Sequence, residues 1–389
     1  MKIVYLSSAG FPSEITHTLS MLRVCKAMSE QGHKVLLTGR RLEGHTNAEV
    51  FKYYGMSEYF ELSLERIARF FNNRWTRFFE LPSLFLAWHF RSTLRHFAPD
   101  LVYSRLTLLE LLAVPCDLPL IYEMHSPGAL TQKGLKRWLF LYLMQRQNVR
   151  HIVVTTNALQ AYLHDHLPDI EIRVARLSAE APVNIEPSQM KEFREQTLQG
   201  QQFEFHAGYT GFLHKVRGIG VVIKVASLSP DIAFHIVGGT PDAVLEWQKF
   251  ASEQNVPGNV FFYGHRPAAE IPCFLSCFDF FLAPLQIPSQ PLTFMSPLKV
   301  PQYLAYGKPI IASDVLPHQE QLKHNSTALL VPPDDPSAWA QALQNLCSSS
   351  ALRSKLGNGA RTYHQAELLP ERRLEIILRD ASKPLPATT

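Results

Sequence analysis

The chain has little cysteine, little net charge and no long apolar run. Its five cysteines are odd in number and scattered, which argues against a disulfide framework and for a reducing compartment. The net charge of +4 is far below that of a dedicated nucleic-acid-binding protein, so we expect no nucleic-acid partner. The opening MKIVYLSSAG lacks the apolar core of a signal peptide, and no run approaches the roughly 18 apolar residues of a membrane-spanning helix. We therefore expect a cytoplasmic protein.

Composition and pattern indicate a folded chain of two domains. Hydrophobic residues are 46% and charged residues 19%, which excludes a mainly disordered protein, and 389 residues suit two domains. The first strand, MKIVYLS, is followed by a helical pattern over 15–31 and by a second strand, HKVLLT. The alternation restarts at FEFHAGYT, residues 203–210. It predicts α/β architecture with two doubly wound, Rossmann-like parallel sheets.

The stretch 179–187 is rich in proline and alanine and lacks periodicity, so the domain boundary is placed there. We expect an N-terminal domain at 1–185 and a second domain at 186–365. A C-terminal helix at 366–380 is expected to pack back towards the first domain. Residues 381–389 are expected to form a disordered tail.

A basic, aromatic segment lies at 66–97, with six arginines against one acidic residue. Such a stretch can lie in an anionic bilayer interface, and Arg74, Trp75 and Arg77 are the candidate contacts. The segment can equally be a core helix whose outer face is basic. The sequence leaves both interpretations open.

The loop SSAGFPS follows the first strand and is a candidate anion-binding loop. Its residues Ser8–Pro12 are predicted to form a turn, in which Gly10 lets the backbone approach a ligand at the N-terminus of the next helix. A single glycine in a turn is also a common structural feature, so the ligand role stays one of two interpretations.

A second candidate loop, GYTGFLHKVRGIG, again follows a strand and precedes a helix. It brings Lys215 and Arg217 near a predicted helix N-terminus, with Gly211 in the turn. Two cations beside a helix N-terminus suit a diphosphate. The alternative is a solvated basic loop.

A third candidate is the run FMSPLKVPQYLAYGKPIIASD. Ser296 is predicted to cap a helix, with Pro297 at its first position and Lys299 in the first turn, where phosphate oxygens would bind. Gln302, one turn further on, could bond a ribose. Pro301 predicts a short or kinked helix.

The order and spacing of several segments resemble the family 4 glycosyltransferases, over about residues 1–380. In the second half these segments are GYTG…RGI, FHIVGGTPD, NVFFYGH, FDFFLAP, SPLK…QYLAYGKPIIASD and ALLVPPDDP; in the first half they are KIVYLSSAGFPS, LVYSR, LIYEMHSP and HIVVTTNALQAYL. The resemblance implies a GT-B fold, with two Rossmann-like domains facing across a cleft. It also implies transfer of a sugar, with retention of configuration, from a UDP- or GDP-sugar donor to a glycan or lipid-linked acceptor. Cell-surface polysaccharide or glycolipid biosynthesis, at the inner face of the membrane, is the expected setting.

The resemblance also assigns site residues. Gly10 matches a glycine of the N-terminal domain that lies against the donor's diphosphate, and His125 matches a histidine that contacts the donor sugar near the reacting carbon. Gly211 is also expected at the donor site. Arg217, assisted by Lys215, matches the cation that neutralises the leaving diphosphate. The rest of the donor site is implied to be Ser296, Leu298 and Lys299 for the phosphates, Gln302 for the ribose, and His265 with Arg266 for the base.

Three positions depart from the family pattern. Phe294 and Gln302 stand where the family often has two glutamates, and Phe212 replaces an arginine. Donor-sugar recognition is therefore expected to differ, and a catalytically impaired homologue that binds nucleotide sugars is one alternative. A nucleotide-sugar epimerase or hydrolase is another.

The sequence has no Asp-x-Asp motif at an expected cleft position, and its adjacent acids Asp334 and Asp335 fall in a late loop. We therefore expect metal-independent chemistry without a cofactor. Cations and helix N–H groups would stabilise the departing diphosphate. The resemblance implies attack by the acceptor on the same face, with a leaving phosphate oxygen as base.

Overall fold

The computed structural model describes residues 1–13, 16–42, 44–66, 81–256, 258–286 and 293–383. These residues form two compact units. The first comprises Met1–Leu177 together with the chain from Pro370 onward, and the second comprises Ser178–Leu369.

The first unit is built on a parallel sheet of seven strands. The strands are β1 (Lys2–Phe11), β2 (Lys34–Arg41), β3 (Glu61–Glu65), β4 (Leu101–Arg105), β5 (Leu120–Met124), β6 (Val149–Val154) and β7 (Ile172–Val174). Their order in the sheet is β3-β2-β1-β4-β5-β6-β7. The chain thus runs from β1 to one edge, returns to the centre at β4 and continues to the other edge, which is a doubly wound arrangement.

Helices cover both faces of this sheet. They are α1 (Thr16–Glu30), α2 (Asn47–Tyr53), α3 (Leu81–Phe97), α4 (Leu108–Leu111), α5 (Leu135–Met144) and α6 (Asn157–His164). Helix α1 buries Leu22, Cys25 and Met28 at helical spacing, and it ends before Gly32, whose φ of +81° suits glycine. The helix Pro370–Leu378 adds Leu374 and Ile377 to the same core.

Strand β1 is longer than predicted, and the predicted turn at Ser8–Pro12 is wrong, because the strand continues to Phe11. The pairing with β2 shifts register between Leu6 and Gly10, which lies opposite Arg40. Such an irregularity bends a strand without ending it. Gly10 therefore lies in a strand, where an added Cβ would come within 2.9 Å of the Leu42 side chain.

The second unit has a parallel sheet of six strands. The strands are β8 (Phe205–Thr210), β9 (Ile232–Val237), β10 (Val260–Gly264), β11 (Phe280–Ala283), β12 (Ile310–Ser313) and β13 (Leu329–Val331), in the order β10-β9-β8-β11-β12-β13. The helices are α7 (Pro187–Gln196), α8 (Ile219–Leu228), α9 (Pro241–Glu253), α10 (Ile271–Cys277), α11 (Lys299–Tyr306), α12 (Leu316–Gln319), α13 (Pro336–Ser348) and α14 (Ser350–Glu367). The helix Pro370–Leu378 of the first unit is then α15.

Helix α11 begins later than predicted. Its N-cap is Leu298, in the helical region, so the prediction that Ser296 caps the helix with Pro297 at its first position is wrong. Pro301 is the third helical residue. Since the first four N–H groups of a helix have no partner within it, proline there removes no helical hydrogen bond.

The strand orders confirm the predicted fold class of two doubly wound parallel sheets. In each sheet the carboxyl ends of all strands meet at one edge, where ligands of such folds bind. Within the part of the chain that the structure describes, no helix is both long and apolar enough to cross a membrane.

Candidate active site

In the second unit, glycines lie at the edge of the sheet where β8, β9 and β10 end. The Gly211 N–H donates to the Val237 carbonyl at 2.9 Å, and the Gly238 N–H donates to the Gly264 carbonyl at 2.7 Å. Gly211 and Gly238 have φ of +135° and +120°, and a Cβ on Gly238 would lie 2.2 Å from the Gly211 oxygen. Only glycine fits such backbone packing. The edge is therefore free of side chains at these two points.

Lys299 lies beside this edge with its ammonium group buried. Its Nζ sits 3.5 Å from the centre of the Tyr209 ring, and a Cβ on Gly211 would be 3.4 Å from it. Burial, and then the nearby Arg217, hold the pKa of Lys299 well below its usual value. Among the described residues, neither Lys299 Nζ nor the buried Ser296 Oγ has a hydrogen-bond partner. An anion bound here would supply the missing acceptor and countercharge.

Arg217 comes to the same place from the loop after β8. It ends a 3₁₀ turn, Lys215–Arg217, and Gly218 follows as the N-cap of α8 with φ of +71°. A Cβ on Gly218 would lie 2.8 Å from Pro284, so this close packing fixes the turn against the chain after β11. Arg217 is half-buried and adds a second cation beside Lys299.

Lys215, by contrast, points away to solvent. Its Nζ pairs with Glu246 on α9 at 3.2 Å, and both side chains are more than half exposed. The structure thus brings Arg217, but not Lys215, to the buried ammonium group.

The remaining donor-side candidates lie around the same edge of the second sheet. His265 and Arg266 follow β10, where His265 is exposed and the Arg266 Nε donates to the Tyr263 carbonyl at 3.1 Å. Leu298 and Gln302 are half-buried at the start of α11. These positions are close in the chain to Gly264 and Lys299 respectively.

The two phenylalanines that depart from the family pattern occupy different environments. Phe212 is exposed, and its carbonyl accepts a hydrogen bond from the Tyr209 hydroxyl at 2.6 Å. Phe294 is partly buried. The Phe212 backbone therefore positions the ring on which Lys299 rests, although its side chain carries no polar group.

Sequence reasoning missed the side chains that hold this edge in place. The Tyr303 hydroxyl accepts from the Thr210 N–H at 2.8 Å, and Ser313 Oγ accepts from the Leu285 N–H at 2.8 Å. In the sequence, Tyr303 and Ser313 are marked only as polar residues inside an otherwise apolar helix or strand. His318, bonded to the Ser313 carbonyl, is buried, and burial lowers its pKa to about 4.

In the first unit, a buried carboxylate lies at the end of β5. Glu123 pairs with Arg373 of α15 at 2.7 Å, and both side chains are almost fully buried. The same carboxylate accepts hydrogen bonds from the Tyr103 hydroxyl and from the His125 ring. Burial alone would raise the pKa of Glu123, but Arg373, His125 and Arg105 outweigh it and hold the pKa well below its usual range.

The carboxylate fixes which nitrogen of His125 carries the proton. An ionised carboxylate can only accept, so Nε2, which bonds to Glu123, carries the hydrogen. Burial, and then Arg105, lower the pKa of His125 although Glu123 opposes the shift. A lowered pKa favours the neutral ring, whose lone pair then lies on Nδ1. Such a nitrogen accepts a hydrogen bond from a hydroxyl group.

Sequence reasoning proposed a site role for His125 but did not single out Glu123, the group that orients its ring. Glu123 stands inside the strand LIYEM, where a charged residue between apolar neighbours was the available signal. Arg373 is 250 residues away, so no local pattern joins the two. Gly10 lies in the strand β1 of the same sheet.

Three predicted residues, Arg74, Trp75 and Arg77, fall outside the described residues. Across the described ranges, no three His, Cys, Asp or Glu side chains cluster as a metal site would require.

Comparison with known families assigns the chain. The model described as Glycosyltransferase Family 4 matches residues 18–176, and the one described as Glycosyl transferases group 1 matches residues 204–349. The chain belongs to the family 4 glycosyltransferases. Comparison with curated protein sequences gives no match.

This glycosyltransferase shares the GT-B fold with solved structures. Sucrose-phosphate synthase from Thermosynechococcus elongatus is 18% identical, with a TM-score of 0.72 over 96% of this chain and 97% of that one. Anabaena HepE in complex with UDP-glucose is 17% identical, with a TM-score of 0.74 over 98% and 99%. A mutant of S. aureus TarM, in complex with fondaparinux, α-GlcNAc-glycerol and UDP, is 11% identical, with a TM-score of 0.70 over 98% and 100%.

Proposed function

We propose that this glycosyltransferase moves a sugar from a UDP- or GDP-sugar to a glycan or lipid-linked acceptor, with retention of configuration and without a metal ion. The observation that carries the proposal is the buried ammonium group of Lys299, which has no hydrogen-bond partner among the described residues. A buried cation without a partner is costly, and a donor diphosphate would compensate it. The HepE structures with UDP and with UDP-glucose support a UDP-sugar donor.

The proposed chemistry follows from charge. When the bond between the sugar and the phosphate breaks, the diphosphate gains negative charge. Lys299 and Arg217 then stabilise this departing diphosphate more strongly than they stabilise the intact donor. This difference lowers the activation barrier. Lys215 would join them only by leaving its ion pair with Glu246. A leaving phosphate oxygen takes the proton of the attacking acceptor hydroxyl, and the new glycosidic bond forms on the face from which the phosphate departs.

The other candidates have binding roles in this proposal. The backbone at Gly211, with Ser296 and Leu298, holds phosphate oxygens, while Gln302 bonds the ribose. His265 and Arg266 receive the base. In the first unit, His125 accepts a hydrogen bond from a hydroxyl of the sugar through Nδ1, and Gly10 contacts the diphosphate.

Thermal unfolding with UDP-glucose, GDP-mannose or ADP-glucose, with and without EDTA, tests the donor site. A donor far above its dissociation constant should raise the midpoint by several degrees, roughly the effect of a few kcal/mol. We expect one nucleotide class to do so, with no change on adding EDTA, and Lys299→Met to abolish the shift. The absence of a shift with every donor would contradict the proposal. The configuration of the product, read by NMR, tests retention.

A second candidate is a homologue that binds donors without transferring sugar. It is motivated by Phe294, Phe212 and Gln302, which lack the charges of the family pattern. A donor-dependent thermal shift without turnover on any of a panel of glycan and lipid-linked acceptors would favour it. Turnover on any of them would exclude it.

A further inference from the structure

The outer surface of the helices α3, α4 and α5 is unusually apolar. It presents six of the fifteen large hydrophobic residues that are exposed among the described residues. We call this surface the α3–α5 face, and its residues are Leu84, Trp88, Leu112, Leu135, Trp138 and Tyr142. Exposed apolar residues gathered on one surface mark an interaction site more often than residues scattered singly.

These residues lie on one side of the first unit. Helices α3 and α5 both pack against α4. The three helices link strands that follow one another in a single direction across the sheet, from β3 to β4, β5 and β6. Right-handed crossovers in one direction place the linking helices on the same face of the sheet. The α3–α5 face is therefore one layer, turned away from the sheet.

Each of the two longer helices is apolar on two sides. In α5, Phe140, Leu143 and Met144 are buried against the unit. On the other side Trp138 and Tyr142 stack at 5.7 Å between ring centres, and Leu135 lies one turn before Trp138. In α3, Trp88 is 69% exposed, although the same helix buries Phe90. A helix whose outer side faces only solvent normally carries polar residues there, so these exposed apolar side chains indicate a partner.

The two longer helices of this face carry basic residues and no acidic ones. Residues 81–97 contain no acidic residue, and neither do residues 125–150, which contain five lysines and arginines. Lys133 and Lys136 are exposed beside Leu135, and Arg91 and Arg95 are exposed along α3. A partner of negative charge with an apolar layer beneath it complements this pattern.

We propose that the α3–α5 face docks on an anionic lipid bilayer. Tryptophan, tyrosine and leucine would enter the interface, while the lysines and arginines meet lipid phosphates. The proposal deepens the proposed function, since a lipid-linked acceptor would be met at that surface. Binding to lipid needs no sugar donor, so it can fail or succeed independently of glycosyl transfer.

The test is cosedimentation of the full chain with vesicles of phosphatidylcholine, with or without phosphatidylglycerol, at low and high salt. The variants are W138A/Y142A and K133Q/K136Q. Matched controls on the second unit are L228A/L245A, which also removes exposed leucines, and K224Q/K249Q, which also removes exposed lysines. All these side chains are exposed, so we expect each variant to fold, as checked by circular dichroism and thermal unfolding.

We expect wild type to bind the phosphatidylglycerol vesicles and high salt to weaken that binding. W138A/Y142A should lose about tenfold or more in binding. K133Q/K136Q should lose about fivefold for each lysine, and only at low salt. The controls should bind as wild type does. No binding to anionic vesicles, or equal losses in variants and controls, would overturn the proposal. The proposal would also be overturned if W138A/Y142A abolished binding of a soluble oligosaccharide, or of a second copy of the chain, while vesicle binding stayed intact.

Discussion

The first six strands follow the same order in the two units, but a buried charge beside the carboxyl edge of each sheet has different surroundings. In the first unit the carboxylate of Glu123 is compensated by Arg373 and by three further hydrogen-bond donors, among them the Tyr5 hydroxyl at 3.5 Å. In the second, the ammonium group of Lys299 faces a tyrosine ring and has no acceptor among the residues described. A buried charge that is already paired, such as that of Glu123, orients a neighbouring group, here the ring of His125. Charge that lacks a partner attracts a ligand, so we expect the first arrangement to govern stability and the second to govern binding.

Glu123→Gln should give the largest effect on stability. It leaves the Arg373 guanidinium buried without its countercharge, which costs about 3–5 kcal/mol of unfolding free energy. Denaturant unfolding measures this loss. In the double variant E123L/R373M most of it should be recovered, because no uncompensated charge remains. Turnover should stay low in both, since His125 loses the carboxylate that fixes its tautomer. If E123Q were as stable as the wild type, the expectation that the paired carboxylate governs stability would be wrong.

Lys299→Met should reduce kcat/KM by about 10²–10³-fold without reducing stability. It removes the group proposed to stabilise the leaving diphosphate, and that group has no hydrogen-bond partner among the described residues. Lys308 supplies the matched control. Its buried ammonium group donates to the carbonyls of Leu275, Ser276 and Phe278. Lys308→Met should therefore destabilise by about 1–3 kcal/mol and leave the donor KM unchanged. Steady-state kinetics and thermal unfolding of both variants decide the matter. Equal destabilisation by the two would contradict the distinction.

Arg217 and Lys215 form a second matched pair, two residues apart. Arg217→Ala should lower kcat/KM about 100-fold, since Arg217 lies beside Lys299. Lys215→Ala breaks only an exposed ion pair with Glu246, so stability should fall by less than about 1 kcal/mol and turnover should change little. A loss of turnover in Lys215→Ala as large as that in Arg217→Ala would restore the catalytic role first expected for Lys215.

Acid should weaken both units in the same way. Burial lowers the pKa of His151 in the first unit and of His318 in the second, each to about 4. Below pH 6.5 the unfolded chain binds protons that these folded histidines exclude. Stability is therefore complete above that pH and falls towards pH 4, by about 1.4 kcal/mol per pH unit for each histidine. Thermal unfolding between pH 7 and pH 5 measures the decline. A midpoint that stays constant or rises over this range would show that other groups dominate.

The sequence predicted what depends on local pattern. Apolar runs marked most strands of both sheets, because a strand buried on both faces reads as a continuous apolar segment. The run SPLK led to Lys299 for the same local reason. The start of α11 was misplaced because serine is a common N-cap residue and Ser296 was assumed to precede the helix directly. In the structure Leu298 occupies the N-cap. The strands β3 (ELSLE) and β7 (IRV) were missed because neither contains a continuous apolar run.

The features that escaped prediction depend on distance along the chain. Glu123 and Arg373 read as an isolated acid in a strand and a base in a late helix. Only folding brings them to 2.7 Å. That Lys299 has no hydrogen-bond partner among the described residues is likewise a property of three-dimensional packing around Tyr209. The loop patterns singled out both Lys215 and Lys299 as candidates for a phosphate site, but they did not show that the ammonium group of Lys299 would be buried and that of Lys215 exposed.

The return of the chain at α15 bears on how the protein is made. A ribosome synthesises the first seven strands, and then the whole second unit, before it reaches Arg373. Throughout that interval Glu123 lacks its cation, and the first core lacks Leu374 and Ile377. The second unit, whose segment is continuous, can finish folding while the first waits. The first part of the protein to be translated is thus the last to be completed.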